Sequence, residues 1–251
     1  MSTDGTEQTG RLDPGTVDAL AAERLAAEEA RITGQARRRA GLSLRGAWRE
    51  FWRHPSPPMI ATFLVASVVG RVLLGSGSWW ELAFPVGLVA AFPLIEWVVH
   101  VAILHWRPRS LGPLRIDSLL AREHRAHHAD PRLLPLVFIP WPVLVWLLPA
   151  YVVVAWLAVP TLAGAGTLLV SVYALMLGYE WTHYLVHSDY RPRSRWYRAL
   201  WRNHRLHHYK NENYWFTVTS AGTADRLLGT YPDASQVETS PTVRSVHAAG
   251  H

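Results

Sequence analysis

A long uncharged run constrains the fold of this chain more than any other feature. Residues 133–179 contain no charged side chain across 47 consecutive positions. A helix that crosses a bilayer needs roughly 20 apolar residues, so the run is long enough for two spans. Two buried helices of a soluble protein are the alternative, but a domain of 251 residues rarely hides so long an uncharged stretch. The run therefore predicts an integral membrane protein.

Four membrane spans account for the apolar segments of the chain. We predict them over residues 59–80, 82–104, 135–157 and 163–185. The first span contains Arg71, which must reach the membrane surface or pair with a group inside the bundle. The predicted fold is all-α and integral to the membrane, with about four transmembrane helices in two hairpins and a cytosolic helical cap.

Basic residues are concentrated in one set of connections. Residues 31–53 contain seven Arg against one Glu, and the loop at 105–132 contains six Arg against three acidic residues. The connections at 79–81 and 159–162 contain no basic residue. By the positive-inside rule, both chain termini and the central loop are cytoplasmic in a multi-pass protein. Because arginines beside apolar runs are typical of contact with anionic lipid, we predict no nucleic-acid partner.

Composition divides the chain into three parts. Residues 1–54 are polar and charged, and we predict a cytosolic, partly disordered segment with one polar helix at about 16–40. Residues 55–232 form the predicted membrane-embedded domain. Residues 233–251 lack an apolar pattern and are predicted to be a disordered tail.

Histidine is the second unusual feature, because ten of the thirteen histidines fall into four clusters. The clusters alternate as pair, triplet, pair, triplet. Their members are His100 and His105, then His124, His127 and His128, then His183 and His187, and finally His204, His207 and His208. Both triplets have the spelling HxxHH, 80 residues apart, and the pairs close the second and fourth predicted spans. His54, His247 and His251 lie outside the clusters and are predicted to have no metal role.

Helical spacing explains why the clusters have these forms. In HxxHH the first histidine shares a helix face with the two that follow three and four residues later. His183 and His187 are four residues apart and also share a face. His100 and His105 are five residues apart, so they point to different sides of a regular α-helix. A π-bulge, or a helix that ends before Pro108, would bring them together.

Ten imidazoles exceed what one ion can use, so they predict two bound metal ions. Imidazole suits zinc, copper, iron and nickel alike, and the ligand type does not identify the metal. A zinc hydrolase normally needs one ion, and copper proteins more often use Cys or Met, whereas this chain has no Cys and three Met. A non-catalytic metal transporter or sensor is the alternative. A transporter should place its ligands near the middle of the bilayer, whereas these lie at one predicted interface.

With these residues in view, the chain resembles the fatty acid hydroxylase/sterol desaturase superfamily of integral membrane proteins. The succession of histidine clusters carries the resemblance, which covers roughly residues 60–231. It is most similar to the fatty acid 2-hydroxylases. The stretches that carry this likeness are GYEWTHYLVH at 178–187, HRLHHYKNENYWFTVTS at 204–220 and LLGTY at 227–231.

The resemblance implies a function and a set of site residues. It implies two iron ions held by all ten clustered histidines, which would be both metal ligands and catalytic residues. It also implies hydroxylation of a C–H bond of a lipid in the bilayer with O2, most similarly the 2-hydroxylation of a fatty acyl chain. Zinc can take the place of iron in recombinant preparations. Glu96, Glu180 and Asp225 are candidates to orient the imidazoles through their second ring nitrogen.

The chain departs from the 2-hydroxylases at its N-terminal segment, around Phe216, and at SAGTAD (220–225), which lacks the aromatic residues expected before Asp225. Its first 55 residues are too short for the cytochrome b5-like domain that those enzymes often carry. We therefore expect a separate electron donor, either a cytochrome b5-like protein or a ferredoxin with its reductase. Trp215 and Thr217 stand where that group usually has glycines. A sterol- or carotenoid-directed hydroxylase or desaturase of the same superfamily would use the same histidines, so the substrate stays open.

Overall fold

The computed structural model describes residues 42–75 and 77–246, except for the side chain of Arg115. The predicted polar helix at 16–40 lies outside the described residues, as do His247 and His251. Within the described part, the helices in chain order are α1 (Leu44–Phe51), α2 (Ser56–Leu73), α3 (Ala83–Val99), α4 (Leu119–Ala129), α5 (Trp141–Ala158), α6 (Leu162–His187), α7 (Arg195–Tyr209) and α8 (Thr223–Leu227). Short 3-10 turns at Trp79–Leu82 and Leu134–Val137 precede α3 and α5, and a π-helical turn at His100–Leu104 follows α3.

Four helical segments of the described chain are long and apolar enough to cross a membrane. They are Ser56–Leu73, Trp79–Leu104, Leu134–Ala158 and Leu162–His187. Many of their large apolar side chains face outward, as expected where lipid rather than water surrounds the helices. The prediction of an all-α integral membrane protein with about four spans is confirmed.

Helix α6 is the centre of the bundle and packs against α2, α3 and α5. Ile60 of α2, Leu144 and Leu148 of α5 and Tyr173 of α6 form one buried cluster. The Tyr173 hydroxyl donates a hydrogen bond to the Leu148 carbonyl at 2.7 Å. Because a phenol in an apolar core needs such a partner, this bond fixes the register of α5 against α6.

Arg71, the charge inside the first predicted span, pairs within the bundle. Its guanidinium lies 2.9 Å from the carboxylate of Glu81. Its Nε also donates to the Thr167 hydroxyl at 2.8 Å, close to the start of α6. The arginine was predicted either to reach the membrane surface or to pair with a group inside the bundle. The structure shows the second arrangement, an ion pair with Glu81 ten residues later.

The polar helices α4 and α7 carry the histidine triplets. Each begins at a serine whose hydroxyl accepts a hydrogen bond from the backbone amide three residues later. Ala121 donates to Ser118, and Tyr197 donates to Ser194, both at 3.1 Å. Such caps replace the missing first-turn partners of a helix. The histidines of each helix are buried, so both triplets lie inside the protein rather than on its surface.

A two-stranded hairpin in the central loop was not predicted. Strands β1 (Arg109–Leu111) and β2 (Leu114–Ile116) pair antiparallel, with Leu111 opposite Leu114. The turn uses Gly112 at φ +61°, a conformation that glycine adopts without strain. The all-α prediction is therefore correct except for this short element, whose sequence signal is the Gly-Pro turn.

Packed residues extend beyond both ends of the predicted membrane domain. Helix α1 belongs to the segment predicted as partly disordered, but Ala47 and Phe51 are buried against Tyr184 at the end of α6. In the predicted disordered tail, Val243 and Val246 are buried as well. Burial of these apolar side chains removes them from water, which stabilises the packing of both segments.

Candidate metal centre

The ten clustered histidines gather into two groups of five. In each group, one ring nitrogen from every histidine lies within 4.8 Å of the others. The first group is His100, His105, His124, His128 and His207, and the second is His127, His183, His187, His204 and His208. Their rings are nearly all buried, so the two groups form an enclosed double site.

Each HxxHH triplet is shared between the two groups. On α4, His124 and His128 are four residues apart and enter the first group, while His127 enters the second. On α7 the assignment is reversed, because His204 enters the second group with His208 and His207 enters the first. Each polar helix thus lies between the groups and contributes to both, whereas each histidine pair serves one group only.

The π-helical turn solves the spacing problem of His100 and His105. The amide of His105 donates to the carbonyl of His100 at 3.0 Å, a bond across five residues rather than four. The two rings lie 5.0 Å apart. This extra residue in the turn brings both side chains to the first group, as one of the two predicted arrangements required.

The Nε2 atoms approach one another closely within each group. In the first group this distance is 3.1 Å between His100 and His124, and also between His128 and His207. In the second, His204 lies 2.8 Å from His187 by the same measure. Two nitrogen ligands bound at about 2.0–2.1 Å to one ion, at nearly a right angle, are about 3 Å apart. The donor set therefore fits a bound metal ion.

Backbone carbonyls fix the tautomer of several imidazoles. The Nδ1 atom of His100 donates to the Phe216 carbonyl at 2.6 Å, and that of His207 to the Tyr214 carbonyl at 2.8 Å. A carbonyl oxygen only accepts, so the proton of each neutral ring must sit on Nδ1. The Nε2 atom then presents a lone pair to the centre of the group.

The pair His128 and His207 shows what this tautomer requires. His128 donates from Nδ1 to the carbonyl of Val243 at 3.1 Å, so it too has a bare Nε2. The two Nε2 lone pairs face each other at 3.1 Å. Two lone pairs at this distance repel each other unless a cation lies beside them, which again fits a metal ion.

Burial keeps the histidines of the polar helices neutral. Removal from water lowers the pKa of His124, His127, His128, His204 and His208 well below the usual range, and the charge that neighbouring rings would carry lowers it further. Burial lowers the pKa of His207 to about 4, although its bond to Tyr214 opposes the shift. Neutral imidazole is the form that binds metal.

Glu96 and Asp225 bind backbone amides instead of imidazoles. Glu96 accepts from the amides of Val218 and Thr219 at 2.7 and 3.0 Å. Asp225 accepts from the amide of Phe216 at 2.8 Å, and also from Thr217. These carboxylates therefore hold the segment whose carbonyls orient His100 and His207, one layer further from the metal site than predicted.

Glu180, the third predicted carboxylate, also binds the backbone. Its Oε1 accepts from the amide of Ile139 at 2.8 Å. Ile139 lies two residues after Val137, and the backbone of Val137 forms a hydrogen bond with His183. No hydrogen bond joins Glu180 to an imidazole of the described residues, so it acts on the ligands through the backbone.

Residues after the second triplet complete the site, and sequence patterns did not reveal their roles. The Phe216 ring lies 5.4 Å from His100, 5.5 Å from His105 and 5.3 Å from His207, and so covers the first group. Trp215 has φ +56°, the region that glycine favours, and its side chain is buried. The backbone turn therefore persists at this position without the glycine that the resemblance led us to expect. Backbone carbonyl acceptors leave no residue-type signal.

The second group borders a polar pocket. The pocket is lined by His187 and His208 together with Arg205 and Tyr209 of α7. Among the described residues, the buried Nδ1 atoms of His204 and His208 have no hydrogen-bond partner. His127 Nδ1, in the same group, also lacks a partner, so three of the five rings of the second group have no hydrogen bond at Nδ1.

Comparison with protein families gives this site a context. The family model described as fatty acid hydroxylase matches residues 85–230, which contain all ten histidines of the two groups. Comparisons with curated proteins and with solved structures gave no significant match. The match covers more than half of the chain, and the family supports an oxidoreductase whose histidine groups can bind metal. The chain belongs to the fatty acid hydroxylase family.

Proposed function

We propose that the protein is a membrane di-iron oxygenase that hydroxylates a fatty acyl chain at carbon 2. One observation carries the proposal: ten buried imidazoles present their ligand nitrogens in two adjacent groups of five. Five nitrogens are enough to hold an ion and still leave a coordination position for a reactant. The fatty acid hydroxylase family supports the acyl chain as substrate.

We propose one iron ion in each group. Bound iron supplies the redox chemistry that activates O2 towards a C–H bond. The chain's own residues hold the ions through Nε2 and fix the rings through the carbonyls of Phe216, Tyr214 and Val243. The buried walls exclude bulk water, which protects a reactive centre from side reactions.

The position of the groups supports a substrate that stays in the bilayer. His100 and His183 lie at the ends of spans, so an acyl chain can lie along the apolar helices while one end reaches the metal site. The same position argues against a transporter, which needs ligands along a path through the membrane. We propose that this face is cytoplasmic, because the basic loops lie on it.

A separate protein is proposed to deliver the electrons, and the outer face of α7 is its proposed binding surface. Arg195, Arg198 and Arg202 are exposed, and Arg205 is half-buried. Their spacing of three, four and three residues puts them on one side of the helix. None of the four forms an ion pair with a carboxylate of the described residues. An acidic redox protein, either cytochrome b5-like or a ferredoxin, would complement this surface.

Lipid analysis of cells that express the chain tests the function. Full-length protein should produce 2-hydroxylated acyl lipids, and a His207→Ala, His208→Ala variant should produce none. His54→Ala is the matched control, because His54 lies outside both groups. Hydroxylation that survives in a folded double variant would exclude the metal site as the catalyst. A sterol or polyisoprenoid product, with acyl chains unchanged, would show that the substrate assignment is wrong.

A further inference from the structure

We propose that residues 240–246, here called the C-terminal strap, hold the ligands of the metal centre in position. The strap lies beyond the region that the family model matches, which ends at residue 230. It contacts the last turns of both α4 and α7, the two helices that carry the histidine triplets. The inference rests on metal binding by the histidine groups, as proposed above, and concerns how the chain holds those ligands in place.

On α4, the strap fixes a ligand and the helix end. The carbonyl of Val243 accepts the Nδ1 hydrogen bond of His128 at 3.1 Å. Next to it, the Arg244 guanidinium donates to the carbonyl of Ala129 at 3.2 Å. Carbonyls of the last helical turn lack partners within the helix, and a cation there also suits the helix dipole. The strap therefore caps α4 and orients one of its ligands.

On α7, the strap binds the residues just after the second triplet. The amide of Ser240 donates to the carbonyl of Lys210 at 2.7 Å. The hydroxyls of Ser240 and Thr242 both donate to the Glu212 carboxylate, the first at 3.0 Å. The Arg244 guanidinium also stacks on the ring of Tyr209, 5.0 Å from its centroid. These bonds join the end of α7 to the end of α4.

Burial shows that the strap is packed rather than loosely attached. Val243 is 7% exposed and Val246 only 1%. Glu212 is 3% exposed, so its charge depends on the two strap hydroxyls for hydrogen bonds. Replacement of the two strap hydroxyls would leave the Glu212 carboxylate buried without these donors, and a buried charge is costly to leave unsatisfied.

The consequence for the metal follows from His128. Without the Val243 carbonyl, His128 loses the acceptor that holds its proton on Nδ1 and its ring in place before metal binds. His128 belongs to the first group, and its neighbour in sequence, His127, belongs to the second. A loosened last turn of α4 would therefore disturb both groups. Loss of a group that orients a ligand typically lowers metal affinity about 10- to 100-fold. His207 keeps its own carbonyl partner at Tyr214, which the strap does not supply.

Metal retention tests the proposal without reference to lipid product. The full chain, a chain truncated after residue 239 and a Ser240→Ala, Thr242→Val variant are loaded with iron, and metal loss to a chelator is followed. We expect the truncated chain to lose metal about 10- to 100-fold faster and the double variant to lie between. Ser235→Ala, Thr239→Val makes the same changes at exposed positions of the same tail and should match the full chain.

Two outcomes would overturn the strap proposal: a truncated chain that retains metal like the full chain, or a double variant indistinguishable from its control. If the truncated chain does not fold, the double variant decides. In metal-free protein, the last-turn amides of α4 should exchange hydrogen faster in the double variant than in the control. A full chain that binds no metal would instead refute the proposed function, so the two failures are distinguishable.

Discussion

The proton on each imidazole decides whether that ring can hold a metal ion. In the first group, carbonyls of Phe216, Tyr214 and Val243 place this proton on Nδ1 of their partner histidines. The backbone at Phe216 is held in turn by a buried side chain, because Asp225 accepts hydrogen bonds from the amides of Phe216 and Thr217. Single residues that never touch the metal therefore control its ligands.

Substitution of Asp225 by Asn tests this indirect control. Asn keeps one acceptor oxygen, but its amide nitrogen cannot accept the second of the two hydrogen bonds from the Phe216 and Thr217 amides, and position 225 is fully buried. We expect Asp225→Asn to lower stability by about 1.5–3 kcal/mol, measured by thermal unfolding in detergent, and to speed metal loss. Asp233→Asn, the same change at an exposed position, should do neither. Equal behaviour of the two variants would contradict the role assigned to Asp225.

At the scale of helices, α7 has metal-binding histidines on one face and arginines on the opposite face. Its inner face carries His204, His207 and His208, and its outer face carries the exposed Arg195, Arg198 and Arg202. A helix is about 10–12 Å across with its side chains, so a protein bound to the outer face lies close to the metal groups. Under the proposed function, one helix would hold metal ligands on one face and bind the electron donor on the other.

Charge reversal on the outer face of α7 tests the donor surface. With an acidic donor protein, Arg195→Glu, Arg198→Glu should lower the rate of electron transfer about tenfold or more at low salt, with a smaller effect at high salt. Metal content should not change, because both side chains point away from the groups. Arg45→Glu, Arg49→Glu on α1 is the matched control. The donor surface is refuted if the two variants transfer electrons equally well.

At the scale of the whole molecule, the sequence predicts what depends on residue type and spacing. The uncharged run predicts the membrane fold, and the HxxHH triplets predict which residues meet at the site. The carbonyls that orient His100 and His207 escaped prediction because main-chain groups leave no residue-type signal. The strap and the β1–β2 hairpin escaped it because each is short and depends on contacts or a turn that no repeated pattern marks. The carboxylates Glu96 and Asp225 were found, but their partners are backbone amides, which no residue pattern identifies.

Metal analysis of three purified proteins tests the central claim, that each group of five histidines holds one ion. Iron-loaded full-length chain should contain about two ions per molecule. His105→Ala removes a ligand of the first group only, and His183→Ala a ligand of the second only. Each variant should therefore retain about one ion tightly and lose the other to a chelator. A single tightly bound ion in the full chain, or two retained equally in both variants, would contradict the paired site.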